Sequence, residues 1–163
     1  MENEPNLTPA PQPLILDTNI VLDLLLFGDA AMAELQRQLQ TAVADAQRWR
    51  WIATAPMRDE LAHVLAYAHL QPRLAFYGHT PQAILARFDA AVQQVPVAAP
   101  TPILCKDGDD QKFIDLAVAH QAVLISKDKA VLKLRRRLAR AGVWVGPTVA
   151  AAQEAAMRAQ QLG

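Results

Sequence analysis

Cysteine is almost absent from this chain. The one residue, Cys105, excludes an intramolecular disulfide and any metal site built from several thiolates of one chain. An excess of charge of either sign is missing too. Sixteen basic and sixteen acidic residues cancel, so no global field draws the molecule to a polyanion or a membrane. Any such binding must come from a local patch. No apolar run reaches the length of about 18 residues that a membrane span requires. The first residues carry Glu2, Glu4 and prolines in place of a basic region with an apolar core, which reads against an ordinary signal peptide. The expected setting is reducing, cytoplasmic and away from membranes. The four histidines, His63, His69, His79 and His120, show no metal-ligand spacing. Neither an internal repeat nor a second domain is visible.

What is present suits one folded domain. The chain has 163 residues, 52% of them hydrophobic, enough for a sizeable core. Residues 1–13 hold four of the eleven prolines and read as a flexible leader, with a single domain over 14–163. Short apolar runs then alternate with helical patterns. Leu14–Leu16, Trp51–Ala55, Val95–Ala99, Val123–Ser126 and Val143–Val145 are the expected strands. The expected helices cover 19–27, 30–48, 57–70, a segment after Thr80-Pro81, 109–120, the basic stretch 130–141 ending at Gly142, and a tail from Thr148. This alternation predicts an α/β fold: a three-layer α/β/α sandwich around a central parallel sheet.

Four acids then stand out by placement. Asp17 ends the run Leu14-Ile15-Leu16, and Asp128 follows the run ending at Ser126 by one residue. Glu60 shares a helical stripe with Met57, Leu61, Val64, Leu65 and Ala68. Asp110 heads the stripe of Phe113, Ile114, Ala117 and Val118. Each has an ordinary explanation. Asp17 and Asp128 could cap the helices that follow them, Glu60 could reach water from the edge of its stripe, and Asp110 could complement a helix dipole. One shared explanation is simpler. In open α/β sheets ligands sit beyond the carboxyl ends of the strands, where Asp17 and Asp128 both fall. Clustered carboxylates repel one another unless a hard divalent cation, Mg²⁺ or Mn²⁺, supplies positive charge. Such an ion lowers the pKa of a bound water and stabilises a leaving oxygen, which is phosphodiester chemistry.

Four blocks carry a family resemblance: Leu16-Asp17-Thr18-Asn19; Arg58-Asp59-Glu60-Leu61 through Val64-Leu65; Cys105 through Phe113 with Asp107, Asp109 and Asp110; and Leu124-Ile125-Ser126-Lys127-Asp128. In order and spacing they resemble the PIN-domain ribonucleases, in the bacterial branch related to VapC-type toxins, over about residues 14–150. The resemblance implies a Mg²⁺- or Mn²⁺-dependent endoribonuclease that hydrolyses RNA phosphodiester bonds. It implies Asp17, Glu60, Asp110 and Asp128 as catalytic and metal-binding acids, with Asn19, Ser126 and Asp109 in support. It also implies a toxin–antitoxin system with a small antitoxin protein as partner, and a homodimer. Two positions depart from the family: Gly108 stands where Pro is usual, and Gln111 replaces a third acid.

Lys127 to Arg140 holds seven cations against one acid, Asp128. Such a run is commonly a solvated face, yet it begins beside the acids. Lys127, Lys129, Arg135, Arg136 and Arg137 are the expected RNA-binding residues. Trp49 and Trp51 could stack on bases or fill a core edge. Two rivals to the nuclease remain at this point: a non-catalytic PIN-like module that binds RNA or protein, and a receiver-like phosphotransfer domain. The receiver wants an acid pair after its first strand, and here Thr18 follows Asp17.

Overall fold

The computed structural model describes residues 11–28, 30–40 and 48–162. Most of the expected leader and part of the expected 30–48 helix lie outside them. The first strand, β1 (Gln12–Leu16), starts two residues before the expected domain boundary. β2 (Trp49–Ala53), β3 (Gln93–Gln94), β4 (Val123–Ile125) and β5 (Trp144–Gly146) complete the sheet among the described residues. Every pairing is parallel, and the order is β3-β2-β1-β4-β5. Helices flank this sheet, giving the α/β/α sandwich that the alternation predicted.

The strands read as unbroken apolar runs because parallel strands are covered on both faces. Leu14, Ile15, Leu124 and Ile125 are fully buried at the centre of the core. Trp51 is buried as well, edge-on to Phe88 with ring centroids 5.3 Å apart, so it is a core residue and not a base-stacking platform.

Several boundaries move. Helix α1 (Thr18–Leu25) follows β1 directly, and α2 (Ala33–Gln40) comes after a short 3-10 turn. The helix expected over 57–70 is α3 (Ala55–Leu65), followed by a separate 3-10 turn. Next come α4 (Gln71–Phe76) and α5 (Pro81–Ala91), whose cap Thr80 accepts the Ala83 amide as the Thr-Pro pair predicted. The strand expected at Val95–Ala99 does not form. Only Gln93–Gln94 pairs with β2, plus the Val95 amide on the Ala53 carbonyl, and Pro96 has no N–H to extend the ladder. Helix α6 (Gln111–His120) carries the expected buried face of Phe113, Ile114 and Ala117. The basic helix is two pieces, α7 (Lys129–Leu132) and α8 (Arg135–Arg140), and Gly142, at φ +83°, ends the second. Helix α9 (Val149–Leu162) closes the described chain.

The strand order fixes where a ligand can sit. From β1 the chain builds outward through β2 to β3, then returns to place β4 on the other side of β1. The order reverses between β1 and β4, so a crevice opens beyond their carboxyl ends.

Candidate metal centre

Asp17 follows β1 and Ser126 follows β4, and both are held by continuations of the sheet ladder. The Asp17 amide donates to the Ile125 carbonyl at 3.0 Å, and the Ser126 amide to the Gly146 carbonyl at 3.0 Å. The two side chains meet: the Ser126 hydroxyl, fully buried, donates to Asp17 Oδ2 at 2.7 Å. The same Ser126 Oγ accepts the Asp128 amide at 3.1 Å and so sets the turn into α7. Asp128 also caps that helix, since its Oδ1 accepts the Ala130 amide at 2.8 Å. Asp17 sits at a cap position but makes no side-chain cap bond. The capping explanation therefore applies to Asp128 and fails for Asp17.

Asp110 reaches the crevice from the end of the 3-10 turn (Gly108–Asp110) that leads into α6. It is buried, caps nothing, and its Oδ2 has no hydrogen-bond partner. One carboxylate oxygen from each of Asp17, Asp110 and Asp128 falls in a group whose members all lie within 4.8 Å of one another. No other group of three or more His, Cys, Asp or Glu residues with this spacing occurs among the described residues. The electrostatics follow from the crowding. Burial above all, then the charge of Asp17 and the approach of Asp128, push the Asp110 carboxyl up to about 7. Asp17 is also raised, chiefly by burial, against the opposing pull of its bonds from Ser126 and the Thr18 amide.

These residues fit a divalent cation. Three hard oxygen donors converge, two of them buried, and one buried oxygen is left without a partner. An unloaded trio must hold protons or suffer repulsion, and a doubly charged ion relieves both.

Glu60, expected as a further ligand, lies outside this trio. Its Oε2 accepts from the Thr18 hydroxyl, and its Oε1 accepts from Lys112 Nζ at 2.9 Å. The roles of Thr18 and Lys112 were not legible in the chain: Lys112 is 52 positions from its acid, and no local pattern pairs them. Asn19, two residues past Asp17, is exposed and stands outside the trio. Asp109 is exposed as well. Its amide donates to Asp107 Oδ1 at 3.0 Å, so Asp107 serves as the cap of the 3-10 turn before α6. Gln111, one of the two positions expected to depart from the family, turns to structure: it accepts the Cys105 amide at 2.7 Å and donates to the Ile103 carbonyl at 2.9 Å. Burial pushes the Cys105 thiol up, in keeping with a packing role.

Of the expected RNA-binding residues, Lys129, Arg135 and Arg136 line one cleft of about 450 Å³ together with Leu132 and Lys133. Lys127 is paired with Asp23 at 3.1 Å instead, and Arg137, though exposed, is not among the cleft residues.

The family model of the PIN domain matches residues 13–130, from β1 to the first turn of α7. The chain belongs to the PIN-domain family. No curated protein matches it. PIN domains are generally nucleases and typically use divalent metals, and the acidic trio lies wholly within the matched segment of this one. Among the described residues of this PIN domain no helix is long and apolar enough to cross a membrane.

Proposed function

We propose that this PIN domain is a metal-dependent endoribonuclease, with Asp17, Asp110 and Asp128 holding Mg²⁺ or Mn²⁺. The observation that carries the reading is the trio itself, three carboxylates at the β1/β4 crevice with the buried Asp110 Oδ2 unpaired. When bound, the ion would lower the pKa of an attacking water and offset charge on the leaving oxygen of a phosphodiester. The chain's own residues prepare that chemistry. Ser126 fixes the Asp17 carboxylate by a buried hydrogen bond, so one ligand is oriented in advance. Asp110, near 7, holds a proton for part of the time at neutral pH and releases it as the site loads. Asp128 is braced from both sides, its amide on Ser126 Oγ and its carboxylate on the Ala130 amide. RNA would reach the trio along the cleft of Lys129, Lys133, Arg135 and Arg136, which begins one residue beyond Asp128.

The test is cleavage of varied single-stranded and looped RNAs with Mn²⁺ by the wild-type chain and by Asp110→Asn. Mn²⁺-dependent cleavage that the substitution abolishes supports the nuclease. Tight RNA binding indifferent to metal, with no cleavage, marks a non-catalytic RNA-binding module instead. The VapC-type resemblance extends the proposal to a toxin with a small antitoxin protein, in the cytoplasm, and to a homodimer. A small reading frame adjoining this one whose product suppresses cleavage supports the antitoxin, and the mass in solution tests the dimer.

A further inference from the structure

The acid at Glu60 is the one family acid that the protein has already neutralised. Both of its oxygens are engaged, Oε2 by the Thr18 hydroxyl and Oε1 by Lys112 Nζ at 2.9 Å. The lysine is not a loose surface charge that happens to lie nearby. Its Nζ also donates to the Asp109 carbonyl at 2.6 Å, and it stands 5.2 Å from the centroid of the Phe113 ring. Three contacts hold the ammonium in one place, and both it and Glu60 are about three-quarters buried, at 25% and 27% side-chain exposure. The clamp joins three elements that frame the crevice: Thr18 opens α1 right after Asp17, Glu60 lies on α3, and Lys112 is two residues past Asp110 on α6.

A carboxylate can serve a metal only if its oxygens are free or freed. Coordinating a cation through Glu60 would place that cation against an ammonium fixed 2.9 Å from the same carboxylate, and like charges so close are strongly unfavourable. The trio beside it meets no such obstacle, because no ion pair neutralises Asp17, Asp110 or Asp128 among the described residues. We infer that Lys112 occupies the place of a second cation: it keeps Glu60 out of the ligand set, and the chain binds a single divalent ion through Asp17, Asp110 and Asp128. Lys112 is then a positioning residue that sets metal stoichiometry, and Thr18 steadies the acid it holds. The inference rests on the proposed metal centre.

Calorimetric titration of the full chain with Mn²⁺ alone reads the stoichiometry without any need for turnover. The wild-type chain is expected to bind one ion. Lys112→Met, which keeps length and removes charge, is expected to bind two. Lys112→Arg is expected to stay at one, and Lys112→Met combined with Glu60→Gln to return to one. Glu60→Gln in the wild-type background guards against a misfolded Lys112 variant, because it is expected to leave the single site within a few-fold of its affinity. Two ions in the wild type, with one lost in Glu60→Gln, overturns the inference. So does a folded Lys112→Met variant that binds one ion with wild-type affinity. A wild-type chain that binds no Mn²⁺ overturns the metal centre itself, which is a different failure.

Discussion

The acidic trio and the Glu60 corner are neighbours built on opposite principles. Glu60 has a lysine and a hydroxyl, one for each oxygen, and is balanced by the protein. The trio places three carboxylates together, leaves Asp110 Oδ2 with no partner, and raises two of the three acids in pKa. Neighbouring acids thus divide into a completed group and an incomplete one. Burial of uncompensated charge is unfavourable, so a fold that tolerates it at one place while neutralising its neighbour suits the proposed cation there.

The largest effect that would sharpen the contrast is expected from Asp110→Asn. It should remove Mn²⁺ binding, a loss beyond the roughly 10–100-fold that outer partners of a metal site contribute. The same change should stabilise the metal-free fold, because it removes a buried charge and the repulsion around it. A gain near 1 kcal/mol raises Tm by roughly 2–4 °C in a chain of this size, and a scan in chelator reads it. A variant that loses both metal and stability would break the comparison. Ser126→Ala should come next. It strips the buried donor from Asp17 at a cost of about 1–3 kcal/mol, and metal affinity should fall about 10–100-fold, read by denaturant melts and by calorimetry.

A smaller, graded effect is expected from pH. The folded Asp110 carboxyl near 7 lies above its ordinary 3.8, so between these values the folded chain binds more protons than the unfolded one. The stability from this group is fully present below about pH 4 and is lost as pH rises through about 7. Saturating Mn²⁺ should flatten that decline, and melts across the range with and without metal would show it. The mildest change is expected from Arg135→Ala with Arg136→Ala. RNA binding should weaken, and its salt dependence should become shallower by roughly 0.7 in log–log slope for each phosphate that is no longer neutralised. Mn²⁺ binding should be unchanged. If the double variant binds metal poorly, the cleft and the trio are not separate parts.

Part of the candidate site was legible in the amino-acid sequence. The apolar run ending at Asp17 located both a central strand and its terminal acid, because a parallel strand must be apolar on both faces. The stripe over Phe113, Ile114 and Ala117 placed Asp110 at the head of the buried face, where it stands as the residue just before α6. Which of the four acids come together was not legible. Met57, Leu61 and Leu65 on the Glu60 stripe are buried as expected, but a stripe says nothing of a lysine from another helix. β3 was missed because two exposed glutamines carry no strand signal; they pair because Ile52 and Ala53 lie alongside. The division between α7 and α8 falls in a run with no glycine or proline, and no residue there announces it.

The backbone around Asp17, Ser126 and Asp128 has one more consequence. The amides of Asp17 and Ser126 are locked into carbonyls of the central sheet, whereas the amide of Asp128 rests on a single side-chain oxygen. In deuterated water the first two should exchange only when the sheet itself opens, while the third should exchange whenever its turn shifts. The centre therefore has a stiff jaw and a compliant one. The compliant jaw carries the basic helices, so a strand of RNA settling on them would be felt at Asp128 before it was felt at Asp17.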